Sequence, residues 1–219
     1  MGNFIPLEWE RFAAEDMEML ADENLSIMEK RRTTRNFSDE PVPKSLIEKA
    51  ILAASTSPSG AHLQPWTFVA ISDLELKKKL RDAAEEEEWK TYNQRMPDAW
   101  REVLDPLGTD HVKEHMTDAP WIVVLFRQTK RLRENGEWGP TYYSTESCGI
   151  AAGMFISAIH RMGLVTLTHT PSPMGFLREL LERPEHEIPM LVLPVGFPDK
   201  EALVPDLRRK SLEEVSVWL

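Results

Sequence analysis

Two short stretches near the front of the chain combine residue types that could do chemistry together. Arg31-Arg32-Thr33-Thr34-Arg35 sets three guanidiniums and two hydroxyls within five residues. A guanidinium is a planar fork of donors that matches a phosphate, so the stretch is a candidate anion anchor. After 23 residues, counted from Arg35 to Pro58, comes Pro58-Ser59-Gly60-Ala61-His62-Leu63-Gln64-Pro65-Trp66. It reads as a tight, Pro/Gly-punctuated loop that runs into the apolar segment Trp66-Thr67-Phe68-Val69-Ala70-Ile71. An anion anchor followed by a loop feeding a strand suits a phosphorylated cofactor. Each stretch also has a plainer reading. Basic residues after a helix complement its C-terminal dipole, and Pro and Gly mark turns of every kind.

A third candidate lies in the polar stretch 85–115, which begins with four successive glutamates. Glu88 and Tyr92 are four residues apart, so on a helix they share a face. With Lys113 they bring a carboxylate, a phenol and an ammonium, a set able to hold a zwitterion. Glu88 would take the ammonium group of an amino acid and Lys113 its carboxylate. The alternative is a solvated acidic helix with no ligand at all. So polar a segment has little core to bury and is expected to stay mobile until a ligand orders it, as lids do. Within it, His111-Val112-Lys113-Glu114-His115 matches H-x-x-E-H, which on a helix would place two histidines at zinc-ligand distance. The surrounding residues 105–117 carry no apolar periodicity to bury such a helix, and no third ligand follows at a diagnostic spacing. A zinc-dependent hydrolase is therefore the remote alternative. Further on, Thr166-Leu167-Thr168-His169-Thr170-Pro171 puts hydroxyls at a strand end, where one could donate to a cofactor ring nitrogen. β-branched residues also simply favour strands, and His169 reads as a satisfied loop histidine. Arg208-Arg209-Lys210 offers more positive charge to a phosphate, or only to solvent.

These residues need elements to position them. Periodicity predicts helices over 8–30, 43–56, 73–95, 141–163 and 174–182. It predicts strands over 66–71, 121–126, 164–168 and 190–195. Helix 141–163 carries Gly149, Ala151, Ala152, Gly153, Ser157 and Ala158, small residues that admit another backbone closely, so it should be central or at a subunit interface. Strands and helices intermix without strict alternation, which favours an α+β sandwich over a doubly wound sheet.

Bulk properties narrow the function. The 219 residues suffice for one large domain with a sizeable core, and 42% apolar content fits a globular protein. No apolar run approaches the roughly 20 residues needed to span a bilayer. A net charge of −10 argues against a nucleic-acid partner. The single cysteine, Cys148, precludes an intrachain disulfide, fits a reducing cytoplasm and reads as a buried structural thiol. Residues 1–7 lack the basic and apolar regions of a signal peptide, and Pro6 stands where an acylation motif starting at Met1-Gly2 would need Ser or Thr.

Taken together, the chain resembles the halotyrosine-dehalogenating branch of the nitroreductase-like FMN flavoproteins over about residues 28–213. The resemblance rests on R-R-x-x-R at 31–35, P-S-G-A-H-x-x-P-W at 58–66, Glu88 with Tyr92 and Lys113, the T-x-T-P ending at Pro171, and Val204-Pro205-Asp206-Leu207-Arg208-Arg209-Lys210. General nitroreductases share parts of the first two motifs but not the Glu–Tyr–Lys set. The resemblance implies an α/β sandwich with a central, mainly antiparallel sheet flanked by helices, in a domain-swapped homodimer with FMN at the subunit interface. It implies a single domain over 1–219, with a helical extension at 1–27, a lid at 85–115 and a C-terminal arm at 198–219 that embraces the partner. Arg31, Arg32, Thr33, Arg35 and Arg209 would hold the FMN phosphate and nearby groups. Pro58 and Ser59 would line the flavin in the neighbouring subunit's site, and Thr168, His169 and Thr170 would also border it. Thr170, the catalytic candidate, would donate its hydroxyl to flavin N5 and favour one-electron chemistry. The Ala61 amide would bind the substrate phenolate, while Glu88, Tyr92 and Lys113 would clamp its zwitterion. The implied activity is reductive dehalogenation of iodo-, bromo- or chlorotyrosine, with electrons from NAD(P)H directly or through a separate reductase. A generic nitro- or quinone reductase is the nearer alternative.

Overall fold

The computed structural model describes residues 4–219; Met1, Gly2 and Asn3, with the acylation motif they would open, lie outside the described residues. The chain divides after Arg31 into two compact units. The first contains one helix, α1 (Ala14–Glu29), so the helix predicted over 8–30 begins six residues later than expected. It buries no residue, and Phe4, Ile5, Leu7 and Trp9 ahead of it are exposed.

The second unit, from Arg32 to Leu219, is organised by a four-stranded sheet. Its strands are β1 (Trp66–Ile71), β2 (Trp121–Gln128), β5 (Val165–Thr166) and β6 (Glu187–Gly196), in the spatial order β1-β2-β6-β5 with every pairing antiparallel. The two-residue period of β2 explains the layers. Val123 packs with Ile47, Ala50 and Ala54 of α2 (Lys44–Ser55) and with Phe155 and Ile159 of α6 (Ser144–Arg161). Ile122, Val124 and Phe126 face the other way, onto Leu80 and Ala84 of α3 (Leu74–Lys90), Met116 of α5 (His115–Asp118) and Leu177 of α7 (Gly175–Leu180). Both faces of β2 are buried, so its sequence is a continuous apolar run rather than an alternation. The result is a central antiparallel sheet between two helical layers, as the resemblance implied.

Four differences from the predicted elements have local causes. A hairpin of β3 (Lys130–Leu132) and β4 (Trp138–Pro140) escapes prediction because each strand is three residues long and mostly exposed. The helix expected over 73–95 ends as α3 at Lys90 and continues as a π-turn over Thr91–Arg95, after which Pro97 bars continuation. A short helix, α4 (Asp98–Leu104), follows inside the polar stretch. The strand expected over 164–168 contracts to Val165–Thr166, although His169 still exchanges two backbone hydrogen bonds with Val192 at 2.8 and 2.9 Å. Beyond β6 the chain is irregular except for α8 (Leu212–Val215), which a capping box of Ser211 and Glu214 starts. No helix among the described residues is long and apolar enough to cross a membrane.

Candidate functional site

Three pieces of chain meet at one end of the sheet. The first is Thr33–Arg35. Thr33 forms a parallel bridge with Thr166 and the Thr34 amide reaches the Thr166 carbonyl, so this segment runs beside β5 as an additional edge. Alternation then buries Thr34 and turns Arg35 toward a cavity. The second is Thr168-His169-Thr170, held by the His169–Val192 pairing. The third is the end of α3 with the π-turn, which delivers Glu88 and Tyr92 one turn apart; Lys113 returns to them from the loop before α5.

These pieces line a cavity of about 160 Å³, walled on the side of the polar stretch by Met96, Trp100 and Leu104. Trp100 and Leu104 lie one turn apart on α4, while Met96 precedes that helix in extended backbone, so the net polarity of 85–115 conceals this apolar wall. The charged end of the cavity is closely arranged. The Lys113 ammonium lies 3.5 Å from Glu88 Oε2 and 5.6 Å from the centre of the Tyr92 ring. Lys113 also donates to the Asp110 carbonyl, and its amide donates to Glu85 at 2.7 Å. The Tyr92 hydroxyl donates to the Thr109 carbonyl at 3.2 Å. His169 Nε2 lies 3.4 Å from Glu88 Oε1, and the His115 ring stands edge-on to His169 with centroids 5.3 Å apart.

Glu88, Lys113, His115 and His169 are all buried. Burial alone would raise the Glu88 carboxyl, but the hydrogen bond with His169 and the Lys113 charge outweigh it and hold it below the usual range. Burial depresses Lys113, and the Glu88 charge opposes this only in part. Burial also lowers His169, against the pull of Glu88, and takes His115 down to about 3 with the help of the charges around it. Both imidazoles are therefore neutral at pH 7, and the site holds a buried anion–cation pair at one end.

Arg35 tests whether an anionic cofactor fits. Its guanidinium is half-buried at the cavity, burial lowers its pKa, and no carboxylate forms an ion pair with it among the described residues. A half-buried cation left uncompensated by the protein suits a phosphate or another anion. Arg32 donates to the Pro205 carbonyl, which ties the Val204–Lys210 segment to the same region, and Arg208 pairs with Glu214 at 2.6 Å. Arg31 belongs to the first unit, and Arg209, which lies just before α8, does not line this cavity.

The loop at 58–64 stands apart from this cavity in the protomer. Its backbone is unusual: Ala61, His62 and Gln64 all have positive φ, at 50°, 55° and 48°. Three non-glycine residues in that region mark a conformation its surroundings must enforce. Gly60 is needed because a Cβ there would meet the Tyr142 carbonyl oxygen at 2.5 Å. The amides of Gly60, His62, Leu63 and Gln64 are spent on Ser147 Oγ, the Ser59 carbonyl, the Gly60 carbonyl and Ser59 Oγ. The Ala61 amide takes no part in these bonds. Pro58, Ser59 and Ala61 are thus not brought to Glu88, Tyr92 and Lys113 within one protomer.

The zinc reading fails on geometry. Residues 111–114 are not helical and α5 begins only at His115, so the two histidines do not share a helix face. No group of three potential ligands among the described residues could hold a metal ion. His169 is where reasoning from sequence fell short: it pairs with a carboxylate 81 positions away, and nothing local announces that.

The chain belongs to the nitroreductase family, whose model matches residues 28–197. Among its relatives, the iodotyrosine deiodinase of Haliscomenobacter hydrossis is 48% identical over 214 residues, 98% of this chain and 96% of that protein. Human iodotyrosine deiodinase 1 is 41% identical, over 97% of this chain and 74% of its own length. Among solved structures, oxidized iodotyrosine deiodinase bound to FMN and 3-iodo-L-tyrosine aligns with a TM-score of 0.77 and 25% identity, over 89% of this chain and all of that one. A BluB-like flavoprotein from Clostridium difficile shares the fold, with a TM-score of 0.68 at 18% identity over 89% of this chain and 98% of that one.

Proposed function

We propose that this protein is an FMN-dependent halotyrosine dehalogenase that converts iodotyrosine, or its bromo and chloro counterparts, to tyrosine and halide. The observation that carries the reading is the buried Glu88–Lys113 pair, 3.5 Å apart beside Tyr92 at the closed end of the cavity. A zwitterion entering there exchanges one ion pair for two. Its ammonium replaces Lys113 at Glu88, its carboxylate takes Lys113, and no charge is left uncompensated. A nitroaromatic or quinone offers nothing to such a pair, which disfavours the generic reductase.

The division of labour follows. Arg32, Thr33, Arg35 and Arg209 would hold the cofactor's phosphate and nearby groups, and Thr168 and His169 would border it. FMN, when bound and reduced, supplies the electrons for breaking the carbon–halogen bond. Thr170, which lines the cavity, would offer its hydroxyl to flavin N5; if that hydrogen bond is worth ~1.4 kcal/mol, it would shift a one-electron potential by about 59 mV. Met96, Trp100 and Leu104 exclude water, so residues 85–115 act as a lid whose binding energy comes from the zwitterion and is used at the ring.

The reading includes a homodimer. The exposed Ala61 amide and the loop around it would complete the partner's site, with Pro58 and Ser59 against its flavin and Ala61 on the substrate phenolate. Gly149 and Gly153 of α6 face open space in the protomer, and Leu203, Val217 and Trp218 of the C-terminal arm are more than 80% exposed, as surfaces awaiting a second copy would be. The electron donor is NAD(P)H, directly or through a reductase, and the location is cytoplasmic; the lone buried thiol supports a reducing setting.

The test is a titration of 3-iodotyrosine into the oxidised, flavin-loaded protein. Saturable quenching of flavin emission at micromolar ligand, with tyrosine much weaker, is expected, together with iodide release on reduction. A yellow protein that 3-iodotyrosine does not quench would leave only a generic flavin reductase.

A further inference from the structure

We propose that His169 is a positioning residue that fixes the Glu88 carboxylate for the ammonium group of the substrate. This rests on the zwitterion site described above and adds a residue to it.

The two oxygens of Glu88 have different partners: Oε2 faces the Lys113 ammonium at 3.5 Å and Oε1 faces His169 Nε2 at 3.4 Å. Only one of these can persist when substrate binds. A bound amino acid draws Lys113 onto its own carboxylate, and the imidazole then remains as the protein's hold on Glu88. His169 is suited to that task by its placement. Its backbone is pinned to β6 by two hydrogen bonds, its ring is backed edge-on by His115, and it is only 7% exposed. The ring cannot swing away without opening the packed end of the cavity.

The tautomer is fixed as well. His169 Nδ1 is buried and has no hydrogen-bond partner among the described residues, and the same holds for His115 Nε2. A proton on Nδ1 would find no acceptor, so the single proton resides on Nε2, facing the carboxylate. A neutral donor is what the site needs. A permanent cation here would neutralise Glu88 and compete with the incoming ammonium. An imidazole orients the carboxylate and leaves its charge for the substrate. The placement also joins two parts of the site, because His169 stands between Thr168 and Thr170 while its ring reaches α3.

The experiment uses the flavin-loaded enzyme and the dissociation constant of 3-iodotyrosine, read by flavin emission. Two amide variants separate the hydrogen bond from mere bulk. His169→Gln extends its amide to about the position of Nε2 and should stay within about threefold of wild type. His169→Asn places its amide near Nδ1, out of reach of Glu88, and should bind about tenfold more weakly, the equivalent of one charge-assisted hydrogen bond. The same substitution in a Glu88→Gln background should cost less than about twofold more, because its effect runs through the carboxylate. Equal losses in both backgrounds, equal losses for Gln and Asn, or no loss for Asn would each overturn the proposal. Flavin absorbance reports whether each variant has kept its fold and cofactor. If His169→Asn loses FMN, His169→Met, which also lacks the donor, replaces it: a loss of about tenfold with Glu88 present and less than about twofold with Glu88→Gln supports the proposal, and equal losses in the two backgrounds, or none, overturn it. Wild-type protein that fails to bind 3-iodotyrosine would overturn the functional reading instead.

Discussion

Acidification should destabilise this protein through His115, and the size of the effect can be worked out. His115 is buried, and desolvation, followed by the charges of His169, Lys113, Arg35 and Arg81, brings its pKa from 6.5 down to about 3. Above about pH 6.5 the imidazole is neutral in both folded and unfolded chains, and its contribution to stability is fully present. As the pH falls, the unfolded chain takes up a proton that the folded chain refuses until near pH 3, so stability drops across that window. With these two values the loss is about 1.4 kcal/mol between pH 7.5 and 5.5 and about 2.7 kcal/mol by pH 4.5. His115→Phe removes the titrating group. Because Nε2 has no hydrogen-bond partner among the described residues to lose, the substitution should cost little at neutral pH. Urea unfolding of the FMN-saturated proteins, followed by tryptophan fluorescence, should therefore show the variant gaining on wild type by about 1.4 kcal/mol as the pH falls from about 7.5 to 5.5. His169 titrates in both proteins, so the difference isolates His115. Parallel pH profiles would refute the reasoning and mean that His115 is charged or solvated in the folded state.

Three further outcomes are expected. Lys113→Met leaves the buried Glu88 carboxylate with His169 alone, and 3-iodotyrosine affinity should fall by about two orders of magnitude with the flavin retained, as measured by emission titration. Gly60→Ala drives a Cβ to 2.5 Å from the Tyr142 carbonyl, and calorimetry should record a loss of about 1–3 kcal/mol. Glu187 is buried, accepts from Thr67 at 2.7 Å and pairs with Arg183 through both oxygens, at 2.7 and 3.2 Å. Glu187→Ala should cost about 2–4 kcal/mol in denaturant unfolding while leaving 3-iodotyrosine affinity unchanged, since it lies outside the cavity.

The sequence by itself determined the elements whose patterning is strong. The apolar run from Trp121 marks a buried strand, and the spacing of Ile47, Ile51, Leu52 and Ala54 marks α2, although the structure buries Ile47, Ala50 and Ala54 and leaves Leu52 exposed. It also held the residue types of the proposed site: three guanidiniums in five positions, and a carboxylate and a phenol one helical turn apart. Tertiary structure decided what those residues do to one another. Glu88 and Lys113 are 25 positions apart by number, and only the packing of α3 against α5 makes them a buried pair. Glu88 and His169 meet across 81 positions, through the pairing of His169 with β6. The same packing dismantled a plausible motif, because His111 and His115 resemble zinc ligands only while the segment between them is taken as helix. Local propensity acts over a few residues and is written in the sequence. Desolvation, which turns an ordinary glutamate, lysine and histidine into a buried ion pair beside a neutral imidazole, depends on which distant segments close around them.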